Sequence, residues 1–425
     1  MQATETAARL TEFDHRGAGT DAERRAAVWL AAELRSARRQ AYLETFWHRP
    51  NWALAHAWHC LIALAGSLVM VSHAELGGIL VLVALVSTIS DWLTGHSIGR
   101  RLTREHASQN VISPAPGPAP PRPGAPTHGD DGHADPQTRL IVTANYDAGR
   151  TVLAYRRPLR MTGARFRQIF GRGRFTPGWM GWLTIELLWL LAVAALRNGG
   201  ATGTPVGIAQ LLPTAALVLE LALLVDLSGA PFGPAAGDNA AGAAVAVSLV
   251  RALDAAPPRR LGVELMLQGS GESAMTGLRR HLRARRRERR PANTVVLGIG
   301  PCGAGRPCWW VSDGSLVPLR YLARLRDLAA RTGGPGTALD ATAHFGRGIS
   351  PAFPARVAGL PALTIGCVDD RGLAPRSHQA GDRPEALDPA ALDRLLEFAL
   401  MLVDAIDADL ARTATDTQGA ARAAA

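Results

Sequence analysis

The chain has 425 residues, 47% of them hydrophobic, with a formal net charge of +10 and a mean hydropathy of +0.05. It contains no lysine, so all of that positive charge is arginine. Its four cysteines (Cys60, Cys302, Cys308, Cys367) follow no zinc-ribbon spacing, and a disulfide framework is not expected. The arginines cluster beside apolar segments, which points to an anionic membrane surface and away from nucleic acid as the basic chain's partner.

The polar N-terminus, MQATETAARLTEFDHRG, has no signal-peptide pattern. Thr20 and Glu23 form a capping box ahead of a helix in RRAAVWLAAELRSA. Two pairs of long apolar runs follow, 53–72 with 76–93 and 179–196 with 206–225. Each is near the length needed to cross a bilayer. Glu186, Gln210, Pro213 and Glu220 interrupt the second pair, and we expect a polar contact between the two helices of that hairpin. Two hairpins return the chain to one side of the bilayer, so the remainder forms one domain there. Arginines before and after the first pair, and before the second, place that side in the cytoplasm, with the hairpins in the inner or plasma membrane. Residues 113–137 are Pro/Gly-rich and read as a solvated loop, including His128, Asp130, Asp131, His133 and Asp135.

Beyond the loop, strands alternate with helices. RLIVTA, GVELMLQ, NTVVLGIG and LPALTIG read as strands; GDNAAGAAVAVSLVRALDAA, VPLRYLARLRDLAARTG and DPAALDRLLEFALMLVDAIDADLAR read as helices. The expected fold is α/β, a mostly parallel central sheet flanked by helices, plus four inserted transmembrane helices. The expected divisions are 1–50, a hairpin at 51–95, 96–176, a hairpin at 177–227, 228–412 as the main part of the domain, and a disordered tail at 413–425.

In such sheets, sites lie beyond the carboxyl ends of the strands. Asn145 and Asp147 end one strand, Gly271 and Glu272 another, and Gly300 a third. Asp238 precedes a helix, with Asn239 beside it, and His378 follows the last strand. Two carboxylates and an imidazole suit zinc, which accepts His nitrogen and carboxylate oxygen and leaves a fourth position for water. Each residue also has a structural reading: Asp238 as a helix cap, Glu272 as an arginine partner, His378 as a loop residue.

These segments together resemble the zinc-dependent aminopeptidases of the bacterial leucyl aminopeptidase and aminopeptidase Y type, which share a fold with glutaminyl cyclases. The resemblance covers residues 5–48, 109–153 and 228–410, with the apolar hairpins as insertions. TANYDAG resembles the family's H-x-D segment, AAGDNAAG its G-A-x-D-N-x-x-G helix start, MLQGSGESAMTGL its E-E-x-G-L strand end, and RSHQAGD its closing His segment. The resemblance implies that Asp238, Glu272 and His378 hold one zinc ion. It also implies three departures. Asn145 stands where the family has a ligating His, although Asp147 remains. Gly300 stands for a ligating Asp, and Gly271 for the general-base Glu. One metal position and the base are therefore expected to be lost, and Ser270, Ser273, Asp313 and His344 are the candidates for a substitute base. Two functions stay open: a membrane-anchored, catalytically degenerate domain that binds a peptide or protein ligand, and an active single-zinc metallopeptidase. Transport through the hairpins is a third reading, resting on Glu186 and Glu220. The basic helix at 279–290 is expected to present a solvated face near an anionic membrane.

Overall fold

A computed structural model of the chain describes residues 2–116, 138–171 and 177–424. Most of the Pro/Gly-rich loop, with its histidines and aspartates, lies outside the described residues.

The N-terminal part supplies α1 (Ala3–Thr11), α2 (Asp21–Ser36) and β1 (Tyr42–His48), then the first hairpin, α3 (Trp52–Val69) and α4 (Ala74–Thr94). A single turn, α5 (Ile98–Arg101), leads into β2 (His106–Ser113) and β3 (Thr138–Asn145). Next come α6 (Arg157–Gly171) and the second hairpin, α7 (Trp179–Asn198) and α8 (Thr204–Gly229). The C-terminal half carries α9 (Ala241–Ala255), β4 (Leu261–Gln268), α10 (Thr276–Ala284), β5 (Thr294–Ile299), β6 (Arg306–Asp313), β7 (Leu319–Arg320), α11 (Ala323–Gly333), β8 (Thr342–Phe345), α12 (Phe353–Val357), β9 (Ala362–Val368) and α13 (Pro389–Ala424).

The sheet runs β1-β2-β4-β3-β5-β9-β6-β7, with β8 beside β6. The expected parallel arrangement holds at the centre, where β4, β3, β5 and β9 are parallel neighbours. The sheet as a whole is mixed, because β1, β2, β6 and β7 make antiparallel pairs. The first hairpin explains one edge: it returns the chain beside β1, so β2 needs no crossover and runs antiparallel. β3, β4 and β5 are continuous apolar runs because both their faces are covered. The helix α9 lies on β3 and β4; its run of buried Ala, Gly and Val lets its backbone approach the sheet closely. At the N-terminus of α2 the Thr20 hydroxyl accepts from the Glu23 amide, as the capping box predicts. The Glu23 carboxylate reaches back to Gly19, one residue further than the motif requires. At the other end of the chain α13 continues through 413–424, where disorder is expected. The segment is rich in alanine, the best helix former.

The two hairpins make a second core. α3 packs on α4 and α8, and α7 on α4 and α8, so the four helices close into a square. All four are long and apolar enough to cross a membrane. The buried face of α3 is small (Ala53, Ala57, Cys60, Ala63), that of α7 is large (Leu183, Leu187, Leu190), and further large apolar side chains such as Leu68, Val86, Leu188 and Leu219 point outward. The polar contact expected within the second hairpin instead joins the two hairpins. The Gln210 amide donates to the Ser67 carbonyl at 2.6 Å, and Thr214 and Ser67 hydroxyls meet at 2.7 Å. Glu186 Oε2 and Glu220 Oε2 have no hydrogen-bond partner among the described residues.

Candidate functional site

Three predicted residues converge beyond the carboxyl ends of the central strands. His378 Nε2 lies 3.5 Å from Glu272 Oε2 and 4.0 Å from Asp238 Oδ2. Each side chain is oriented by a partner behind it. His378 Nδ1 stands 3.2 Å from the Arg150 carbonyl. A carbonyl only accepts, so Nδ1 carries the proton and Nε2 is the atom turned to the carboxylates. Asn239 donates its side-chain amide to Glu272 Oε1 at 2.6 Å and to the Asp147 carbonyl at 3.0 Å. Ser377 donates its hydroxyl to Asp238 Oδ2.

The backbone under these side chains is held by buried carboxylates. Asp147 accepts the amides of Gly271 and Glu272, each at 3.0 Å, and so fixes the turn that presents Glu272. Asp382 does the same for Asp238, accepting from the Gly237 and Asp238 amides at 2.9 and 3.1 Å. Glu23 accepts from the Ser270 amide at 2.7 Å and the Ser108 hydroxyl at 2.9 Å. Burial pushes all three upward: Glu23 and Asp382 to about 7, Asp147 well above the usual carboxylate range. Burial also raises Glu272, and Asp238 adds to it, against the opposing pull of His378 and Asn239. Arg16, fully buried, completes the frame by donating to the carbonyls of Tyr146, Pro234 and Ala235. Burial lowers its guanidinium to about 10, with Asp147 and Asp382 opposing.

Two glycines decide what fits here. A Cβ on Gly149 would stand 2.4 Å from His378 Cε1 and 3.0 Å from Glu272 Oε2, so only glycine lets those side chains approach. A Cβ on Gly271 would stand 2.2 Å from Asn145 Cγ and 2.5 Å from its Oδ1. The Asn145 side chain therefore fills the space that a side chain at 271 would need. Asn145 is 2% exposed, and its Oδ1 has no hydrogen-bond partner. Gly300 differs: a Cβ there would meet Ile365 O and the Trp310 ring at 3.4 Å, ordinary contact distance.

Of the substitute bases named from sequence, Ser270, Ser273 and Asp313 are engaged by other partners, while His344 lines the same cavity as Glu272 and His378. Ser270 is fully buried with its hydroxyl 2.6 Å from His48 Nε2, and Ser273 donates to the Pro50 carbonyl. Asp313 accepts three backbone amides, from Gly314, Gly348 and Ser350. His344 packs edge-on against Trp310, 4.7 Å between ring centres.

Sequence reasoning missed Gly149, Arg16 and the part played by the hairpins. The Trp52 indole, at the first residue of α3, donates to the Glu272 carbonyl at 3.0 Å. Trp52 stacks near Trp179 at the start of α7, and Trp179 meets His56. A cavity of about 840 Å³ runs from Glu272, Asp238 and His378 to the ends of these helices, where Asp91 and Trp92 line it. The hairpins are thus walls of the site. Only their apolar length was legible in the sequence; nothing in it records which strand end Trp52 meets.

The donor set matches one zinc ion in chemistry: two carboxylate oxygens and an imidazole nitrogen with its far nitrogen engaged. In spacing it stands slightly open. Donor atoms around a tetrahedral zinc lie roughly 3.3 Å apart. Among the described residues no three His, Cys, Asp or Glu side chains are closed around one point. Carboxylate side chains adjust by such amounts, so the residues present fit the ion in chemistry and tautomer.

Residues 225–403 match the profile of Peptidase family M28. No curated protein matches the sequence. The zinc aminopeptidase BSAP from Bacillus subtilis superposes with a TM-score of 0.51 at 13% identity, over 95% of this chain and 94% of that one. The aminopeptidase from Aneurinibacillus sp. strain AM-1 gives 0.51 at 12% identity, over 94% and 93%. A glutaminyl cyclase from Fimbriiglobus ruber gives 0.49 at 12%, over 95% and 94%. The α/β fold is that of the M28 aminopeptidases, carrying in addition four helices of membrane length.

Proposed function

We propose that this protein is a membrane-anchored relative of the zinc aminopeptidases that holds one zinc ion and binds amine-terminated peptides without the family's ordinary hydrolysis. The observation that carries this reading is the overlap of Asn145 with the position a side chain at 271 would take. The resemblance assigns 271 to the general base and 145 to a metal ligand, so a single packing arrangement removes both. Asp238, Glu272 and His378 would hold the ion, which supplies Lewis acidity toward a carbonyl. Asp147, Asn239 and Asp382 hold those ligands in place through the bonds described above. Without a base at 271 the chain lacks a group that typically contributes ~10²–10⁴-fold.

Zinc per chain in detergent, with Glu272→Ala as control, is the first test. About one equivalent in the wild type, lost in the variant, is the expected result; none in either retires the metal assignment. Hydrolysis of amino-acid anilides should be undetectable. Gly271→Glu alone should stay inactive and destabilise the chain, since it collides with Asn145. Activity should emerge only when Asn145→His and Gly300→Asp accompany it. Turnover by the unaltered chain, lost in Glu272→Ala, would instead establish an active single-zinc peptidase.

A further inference from the structure

We infer that the cavity takes a peptide with acidic residues after its amino terminus, its amine at the metal-binding trio and its acidic side chains on arginines of the cavity wall. The inference rests on the reading of that trio as an amine-terminal peptide site, and adds the substrate class. Its grounds are arginines of the cavity wall. Arg101, Arg283 and Arg371 line it, all three are exposed, and none has an ion pair or side-chain hydrogen bond among the described residues. The acids that line the same cavity away from the trio do not neutralise them. Asp91 is buried and occupied by Arg100 at 2.9 Å and His56 at 3.2 Å. Asp313 is 1% exposed and saturated by backbone amides. Only Glu105 projects outward.

The same cavity therefore joins the carboxylates and imidazole of the trio to guanidinium groups that have no ion pair among the described residues. Exposed arginines in a concave site raise the local concentration of anionic ligands and pair with carboxylates in bidentate fashion. The cavity volume of about 840 Å³ is at the upper end of the usual range for ligand sites, roughly 300–1,000 Å³. A peptide carries both an amine for the trio and carboxylates for the arginines; a lipid headgroup held at the arginines would leave the trio unfilled. Trp52, Trp92 and Trp179 line the same cavity and offer apolar surface to the peptide backbone.

The test uses the full chain in phosphatidylcholine nanodiscs, with zinc content measured on the same sample. Fluorescein-tagged Ala-Asp-Glu-Asp-Glu and Ala-Arg-Gln-Arg-Gln are titrated and followed by anisotropy. The acidic peptide should bind at least tenfold tighter, and added salt should narrow the gap. Arg101→Gln, Arg283→Gln and Arg371→Gln together should weaken it by roughly tenfold, since each exposed charge contributes modestly. These side chains hold no structural contact, so the melting temperature should not move. Equal affinity for the two peptides, or an unaffected triple variant, would overturn the inference. So would displacement of the peptide by a short-chain phosphatidylglycerol but not its phosphatidylcholine counterpart, which would assign the arginines to a lipid headgroup. A zinc-free chain that still prefers the acidic peptide fails the metal assignment alone. A zinc-loaded chain without that preference fails this inference alone.

Discussion

At the scale of single residues, the site is shaped as much by missing side chains as by those present. Gly149 has no strained dihedral and no motif to mark it, yet its absent Cβ leaves the room in which His378 and Glu272 meet. Gly149→Ala should therefore cut zinc affinity by more than tenfold. The new methyl lies 2.4 Å from the His378 ring and must push that ring off the carboxylates. Because the displaced ring borders an open cavity, the melting temperature of the metal-free chain should change little. Isothermal titration with zinc, paired with a thermal melt in chelator, separates the two effects; unaltered zinc affinity would contradict the ligand role given to His378. That Asp238, Glu272 and His378 come together was legible in the sequence because Glu272 follows a strand end, Asp238 precedes a helix and His378 lies in the segment after the last strand. Gly149 and Arg16 were not, because their contributions are a void and a set of backbone carbonyls, neither of which leaves a residue pattern.

At the scale of elements, the basic helix shows how a charge run acquires structure. Its sequence reads as a solvated face, and Arg283, Arg286 and Arg287 are indeed exposed. One side is nonetheless docked. Glu44 on β1 accepts from Asn110 at 3.0 Å, lies 3.0 Å from His281 on α10, and pairs with Arg285 just beyond it. Burial alone would raise Glu44, but these partners outweigh it and hold the carboxyl down at about 2. A depressed folded value means stability present above the unfolded value near 4.5 and lost as the pH falls towards 2. Allowing for partial exposure, the pair set contributes on the order of 2 kcal/mol at pH 7. Glu44→Gln should lower the melting temperature at pH 7, and the gap from wild type should narrow steadily below pH 4.5. A gap independent of pH would mean that packing, and not charge, fixes the helix. The strands tell a parallel story. RLIVTA, GVELMLQ, NTVVLGIG and LPALTIG were readable because central strands must be apolar on both faces. YLETFWH was not, because an edge strand mixes polar and apolar residues, and this one exposes Tyr42 and Trp47 to solvent; nor was HASQNVIS, which lies between β1 and β4 yet buries the polar Ser108, Gln109 and Asn110.

At the scale of the whole molecule, the chain order and the spatial order disagree, and this has a measurable consequence. The family profile covers 225–403 and the sequence suggests 228–412 as the main part of the domain, which invites a soluble fragment with those bounds. That fragment would contain β4 and β5 but not β3, the strand between them. β3 pairs with β4 over eight residue pairs, from Thr138 to Asn145, and with β5 over five. Removing it opens a slot in the centre of the sheet and bares two strand edges of apolar residues, the arrangement most prone to aggregation. The fragment also loses Asp147, which fixes Gly271 and Glu272, and Arg16, which fixes the approach to Asp238. It should express as insoluble material or as oligomers without a cooperative melt, and bind no zinc. Gel filtration and circular dichroism on the purified fragment decide the matter. A monomer that melts cooperatively would mean that β4 and β5 close on each other without β3, and that the first 227 residues are an appendage to the fold and not its centre. The same topology explains why the hairpins abut the site. They are inserted between strands that must return to neighbouring places in one sheet, so their first turns are held within reach of the strand ends.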